Sequence, residues 1–261
     1  MITVESRTTG SSPMRALFII LLLASGVGVA NAQSPLAEAN WFIDAGWMAL
    51  RDGEGFEHAG ELSKARAAYE YASHAANRAL VIGDQVGVPL DARPASPYFL
   101  YGQAELHRAQ LLHGLGAPWP EIDHSLHQAR QAFDDVLRLV DRRFPPGSPD
   151  WVGMRSEALF SLSTVYFLLN DLETADLVIR DLEALQPNLA PARELQGVID
   201  YSTGQPTSFE PPPSVSPPEP AGSGIGSERF LGYAIEIGKA LFGRWGTVAG
   251  MLVEDVYRVV Q

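Results

Sequence analysis

The chain has 261 residues, 46% of them hydrophobic, enough to bury a core and to exclude a disordered polymer. It holds no cysteine, which excludes disulfides, thiolate metal sites and a cysteine nucleophile. With 31 acidic and 19 basic residues, its charge opposes phosphate backbones and anionic lipid, so nucleic acid is not an expected ligand.

Residues 1–32 read as a secretory signal peptide. Arg15 precedes the apolar run "ALFIILLLASGVGVA" at 16–30, and the small-residue sequence "ANA" places cleavage between Ala32 and Gln33. The run is shorter than the roughly 20 residues that span a bilayer. Removing these residues leaves 17 basic and 30 acidic groups, a net charge of −13 on an exported and, by expectation, periplasmic chain.

From 33 to 205 the composition is rich in Ala, Leu, Glu and Arg, and apolar residues recur every three or four positions. This predicts an all-α region. Gly and Pro interrupt the period at 52–55, 87–97, 114–120, 144–150, 170–171 and 186–191, dividing the region into helices joined by turns. Residues 206–226 follow as a Pro/Gly/Ser-rich linker, with seven prolines between Pro206 and Pro220 and an expected extended polyproline II course. In 227–261, Ser227 can cap a helix whose apolar positions include Phe230, Ile237, Leu241, Trp245, Leu252 and Val256. This predicts an amphipathic helix or helix pair that offers those six residues for interaction.

The stretch "SEALFSLSTVYFLLNDLETADLVIRDLEALQPN", 156–188, carries Leu159, Leu162, Ser163 and Tyr166 on one expected helix, Ala175, Ile179 and Leu182 on the next, and Pro187 beyond it. Small residues at Ser163 and Ala175 let antiparallel helices approach, and the large ones fill the gaps around them. Gly53, Phe56, Gly60, Ala65, Tyr69 and Ala72 repeat the offsets of Ser163, Tyr166, Asn170, Ala175, Ile179 and Leu182. Ala129, Phe133 and Val136 repeat the second-helix part, with a first helix expected at 98–114 and a turn, "LGAPWPEID", longer than the pattern. A truncated unit begins at Ala192.

These residues resemble the tetratricopeptide repeat (TPR) over about 41–204, strongly in one unit and more weakly in the others. The resemblance implies a TPR-like solenoid of antiparallel helix pairs with a concave groove, and a function in holding a segment of another protein. On the family's pattern the groove positions fall on Trp47, Leu50, Glu54 and Glu57, and on Glu157, Phe160, Thr164 and Phe167. Glutamates beside aromatics favour a ligand with basic and apolar residues.

Residues that suggest other chemistry have simpler readings. His124 and His127 lie three apart beside Asp123, a spacing metals use, yet no HExxH is present and Asp134 and Asp135 are too far along for one ion. His107 and His113 are six apart, and His58 and His74 fall on different helices. There is no GxSxG, phosphate loop or GxGxxG. Arg142 and Arg143 match the charge expected at a helix C-terminus. Trp41, Phe42, Trp47, Tyr98, Phe99 and Tyr101 are core residues or, on inner helices, hot spots for a peptide.

The expectation is a noncatalytic scaffold or adaptor of the bacterial cell envelope, with a protein or peptide partner, no cofactor and no metal. Two alternatives stay open. One is a membrane-surface protein using the C-terminal helix, although Glu228, Glu236, Glu254 and Asp255 deny it a basic face. The other is an all-helical exported hydrolase.

Overall fold

The computed structural model describes residues 34–89 and 92–207, and the expected signal peptide, most of the linker and the expected C-terminal helix lie outside them. The described residues are all-helical, with no strand among them. Seven helices follow in order: α1 (Pro35–His58), α2 (Leu62–Gln85), α3 (Ser96–Gly114), α4 (Trp119–Arg143), α5 (Pro149–Leu168), α6 (Leu172–Leu185) and α7 (Ala190–Thr203).

Two kinds of stop signal set their ends. Within each of three hairpins the first helix ends on a left-handed residue: Gly60 (φ 74°), Gly116 (φ 70°) and Asn170 (φ 61°). Each turn makes the same pair of bonds. Gly60, Gly116 and Asn170 donate to the carbonyls three residues back, and Glu61, Ala117 and Asp171 donate to those five back, which satisfies the last carbonyls of the helix. Asn170 shows that the turn needs a residue tolerant of positive φ rather than glycine as such. Between hairpins α4 and α6 stop at proline, Phe144 and Gln186 leaving the helical region (ψ 139° and 79°) because Pro145 and Pro187 follow them, whereas α2 stops on left-handed Gly87 (φ 70°) with the same pair of bonds as the hairpin turns. Ser148 and Asp171 then cap the starts of α5 and α6, accepting from the backbone N–H of Trp151 (3.3 Å) and Thr174 (3.2 Å).

The expected break at 52–55 is not there, and α1 runs through it to His58. Packing explains the difference. A Cβ on Gly53 would lie 2.4 Å from Tyr69 Cε1, so this glycine serves a helix crossing instead of a turn. Gly102 does the same in α3, where a Cβ would meet Phe133 Cε1 at 2.7 Å. The third crossing has Ser163, fully buried, with its hydroxyl turned back to the Phe160 carbonyl at 2.8 Å.

Opposite the two glycines stand Tyr69 and Phe133, and Ile179 follows Ser163 at the spacing by which Tyr69 follows Gly53; all three are fully buried, and four positions before each lies a buried alanine: Ala65, Ala129 and Ala175. The three hairpins share one crossing. In the middle hairpin the residues between the crossing points are helical rather than loop: the connection between α3 and α4 is only 115–118, and both helices extend beyond the crossing. The sequence departs from the pattern there because Gly102 and Phe133 cross about two turns further from the loop than Gly53 and Tyr69 do, not because its turn is longer.

Each helix packs on its neighbours in the chain, and the odd-numbered helices also touch one another in series: α1 with α3, α3 with α5, α5 with α7. The longer link from α2 to α3 is held by Arg93, buried, which donates from Nε to the Val88 carbonyl (3.0 Å) and from Nη1 to Tyr98 Oη (3.4 Å), and pairs with Asp84. One core runs from α3 to α7 around Phe133, Leu159, Leu162 and Ile179, and a second joins α1, α2 and α3 around Leu50, Tyr69 and Leu100.

Candidate functional site

The series of odd-numbered helices brings their side chains together. Trp47 on α1 donates from Nε1 to Ser96 Oγ on α3 at 3.4 Å. Two turns further along α1, Glu54 Oε1 lies 3.5 Å from His107 Nε2 on α3. One turn before His107, Gln103 donates from Nε2 to Ser161 Oγ on α5 at 2.8 Å. Gln103 and His107 share one face of α3, because residues four apart on a helix are neighbours. Side chains of α3 therefore reach α1 on one side and α5 on the other.

The α1 end of this row is fixed from beneath. His107 stacks on the buried Tyr69 ring (centroids 5.2 Å apart, planes at 24°), and the Tyr69 hydroxyl donates to Glu57 Oε2 at 2.8 Å. Burial, and then the charges of Glu57 and Glu54, push the phenol pKa far above its ordinary value, so Tyr69 remains a proton donor throughout the physiological range. At the α5 end Glu157 lies one turn before Ser161. Its Oε1 is buried with no hydrogen-bond partner, and burial pushes its carboxyl up to about 8.

The eight expected groove residues divide on burial. Trp47, Glu54, Glu57, Glu157 and Phe160 are half-buried along this face. Leu50, Thr164 and Phe167 are not on it; they are 4%, 1% and 1% exposed. Leu50 joins the core with Tyr69 and Leu100, and Thr164 bonds back to the Phe160 carbonyl at 3.0 Å. The physical reason is that α5 has neighbours on every flank, α3, α4, α6 and α7, so positions free on a lone helix pair are covered here. These three residues pack helices together and offer nothing to a ligand.

Sequence reasoning missed Ser96, Gln103, His107 and Ser161. A signal was available, since Gly102 has the crossing role of Gly53 and Ser163, which makes Gln103 the counterpart of Glu54. The lengthened hairpin concealed it. The other half of the expected site, Phe230, Ile237, Leu241, Trp245, Leu252 and Val256, lies outside the described residues. Of the histidines weighed for metal, His127 pairs with Asp123 at 3.5 Å on the surface of α4. Among the described residues no three His, Asp or Glu side chains gather as ligands, and no helix is long and apolar enough to cross a membrane.

Chemically the face offers carboxylates, amide and hydroxyl groups, and the partly buried rings of Trp47 and Phe160. Such a set recognises cations flanked by apolar groups through ion pairing, hydrogen bonding and cation–π contact. The chain matches no protein-family model, no curated protein and no solved structure.

Proposed function

We propose that this chain is an exported, noncatalytic adaptor of the bacterial cell envelope, built as a TPR-like stack whose odd-numbered helices line a concave groove for a partner segment. The observation that carries the reading is the series of contacts α1–α3–α5–α7, the arrangement in which first helices of successive pairs form one surface. The shared crossings at Gly53, Gly102 and Ser163 support it, because stacked equivalent hairpins need equivalent close approaches. The ligand is a peptide segment or helix that carries lysine or arginine beside apolar residues, matched to Glu54, Glu57 and Glu157 and to Trp47 and Phe160. The signal peptide at 1–32 delivers the chain, and sequencing of protein recovered from cells should begin at Gln33; an intact Met1 contradicts export.

The binding test is peptide selection against the full-length protein from a random displayed library. Selected peptides should combine a cation with an aromatic or branched aliphatic residue. Glu157→Lys should weaken them by about tenfold or more, equivalent to ~1.4 kcal/mol. Leu177→Ala, exposed on α6 away from this face, should leave affinity unchanged. Equal loss at Leu177, or none at Glu157, would move the binding surface elsewhere.

A further inference from the structure

Two side-chain joints tie α3 to its odd-numbered neighbours, and they differ in kind. Gln103 meets Ser161 on α5, a neutral pair that no change of pH alters. On the other side His107 meets Glu54 on α1, a pair whose strength depends on a proton. Histidine is the side chain whose charge changes between pH 5 and 8, and its hydrogen bond to a carboxylate is roughly twice as strong when it is charged.

The joint is held in place from below. The Tyr69 ring, fully buried and packed against Gly53, is the plate on which the His107 ring lies, and its hydroxyl is held by Glu57 Oε2 at 2.8 Å. The imidazole is thereby set 3.5 Å from Glu54, Nε2 to Oε1. The Glu54 side chain keeps 32% of its exposure and that of His107 18%, so the pair is open to solvent on its carboxylate side.

The charges around this pair are engaged elsewhere. On α1, His58 Nδ1 sits 2.7 Å from the Glu54 carbonyl, and Glu57 accepts from Tyr69. On α2, Arg66 pairs with Glu70 and Arg78 with Glu38, and the group presented to His107 is Tyr69 itself. On α3, Arg108 pairs with Glu105 at 3.2 Å, and Glu105 also accepts from Ser73 at 2.6 Å. On α4, Asp123 pairs with His127, while Arg130 and Asp134 act on each other and on Tyr166. Helix α5 carries no charged residue after Glu157.

If the face binds a cationic segment, the Glu54 carboxylate has two claimants of the same charge. We infer that His107 is a proton-gated competitor for that cation: charged, it holds Glu54 and repels an incoming lysine or arginine, and neutral, it releases the carboxylate. Binding of the segment then expels the proton, and the proton weakens the segment by the same factor, because coupling between two sites is reciprocal. Affinity therefore rises with pH through the histidine range. His107 is a positioning residue here, acting through Glu54. The inference rests on the peptide-binding reading of the face and adds what regulates it.

Burial pushes the Glu157 carboxyl up to about 8, so its own response to pH is first removed by working in Glu157→Gln. A peptide selected against that full-length chain, with blocked ends and without histidine or acidic residues, is titrated at pH 5.5 and pH 8. Affinity should be about fivefold higher at pH 8, the size of one partly exposed ion pair. His107→Gln, which keeps a donor but no charge, should bind equally at both, close to the higher value. Calorimetry in two buffers of different ionisation enthalpy leaves His107 intact and covers a failure of that variant to fold. Binding at pH 6.5 should release protons, and Glu54→Gln should abolish the release. Equal affinity at both pH values, a pH effect that persists in His107→Gln, or binding without proton release would each overturn the inference. Peptides that depend on Glu157 as expected in the unaltered chain, but show a flat pH profile here, leave the peptide-binding reading standing. A selection that yields no such peptides removes both.

Discussion

Gly53 and Gly55 lie two residues apart in α1, and their surroundings give them opposite roles. A Cβ at Gly53 would enter the Tyr69 ring, which is buried and has nowhere to move, while a Cβ at Gly55 meets nothing within 4 Å. Gly53→Ala should therefore cost about 1–3 kcal/mol through overpacking. Gly55→Ala should gain about 0.5–1 kcal/mol through lower backbone entropy in the unfolded chain. Chemical denaturation of the two variants decides it, and effects of the same sign would contradict the crossing. Glu157 makes a second residue-level prediction. Its folded-state pKa of about 8 stands above the ordinary 4.5. The carboxyl is neutral in both states below about 4.5, so stability is full there. As pH rises towards 8 the unfolded chain ionises and the folded one resists, so stability falls by up to about 1.4 kcal/mol per unit. Denaturation midpoints measured from pH 4 to 8 should show this slope, and Glu157→Gln should flatten it.

At the scale of elements the hairpin is the unit, and its crossing is a three-residue device: one small residue on the first helix, one alanine and one large residue on the second. Ala175→Leu should overpack the α5–α6 crossing and cost about 1–3 kcal/mol in thermal or chemical unfolding, because Ala175 is fully buried. A neutral result would mean that the matching of hairpins is wrong. Much of this was legible in the sequence. The alanines, Tyr69, Phe133 and Ile179 each announce themselves by local spacing, and the expected interruptions fall at the ends of α2, α3, α4, α5 and α6 but not at that of α1. What was not legible depends on neighbours that spacing cannot see. Glycines at 53 and 55 read as a break, since only Tyr69, sixteen residues away, shows that Gly53 faces a ring. Leu50, Thr164 and Phe167 read as groove positions because a repeat pattern describes one pair, and the flanking helices that bury them belong to the next. Gln103 and His107 were hidden because the middle hairpin's crossing lies further from its turn than the crossings of the other two do.

Over the whole molecule, charge and connectivity tell a consistent story. The helical region holds the excess of acid, while its odd-numbered helices share a face where three of those acids stand beside Trp47 and Phe160. The most direct measurement is hydrogen exchange on the full-length protein with and without a peptide selected to bind it. Protection on binding should be concentrated in α1, α3 and α5, around Trp47, Gln103 and Glu157. Protection confined to α2, α4 and α6, with the odd-numbered helices unchanged, would contradict it.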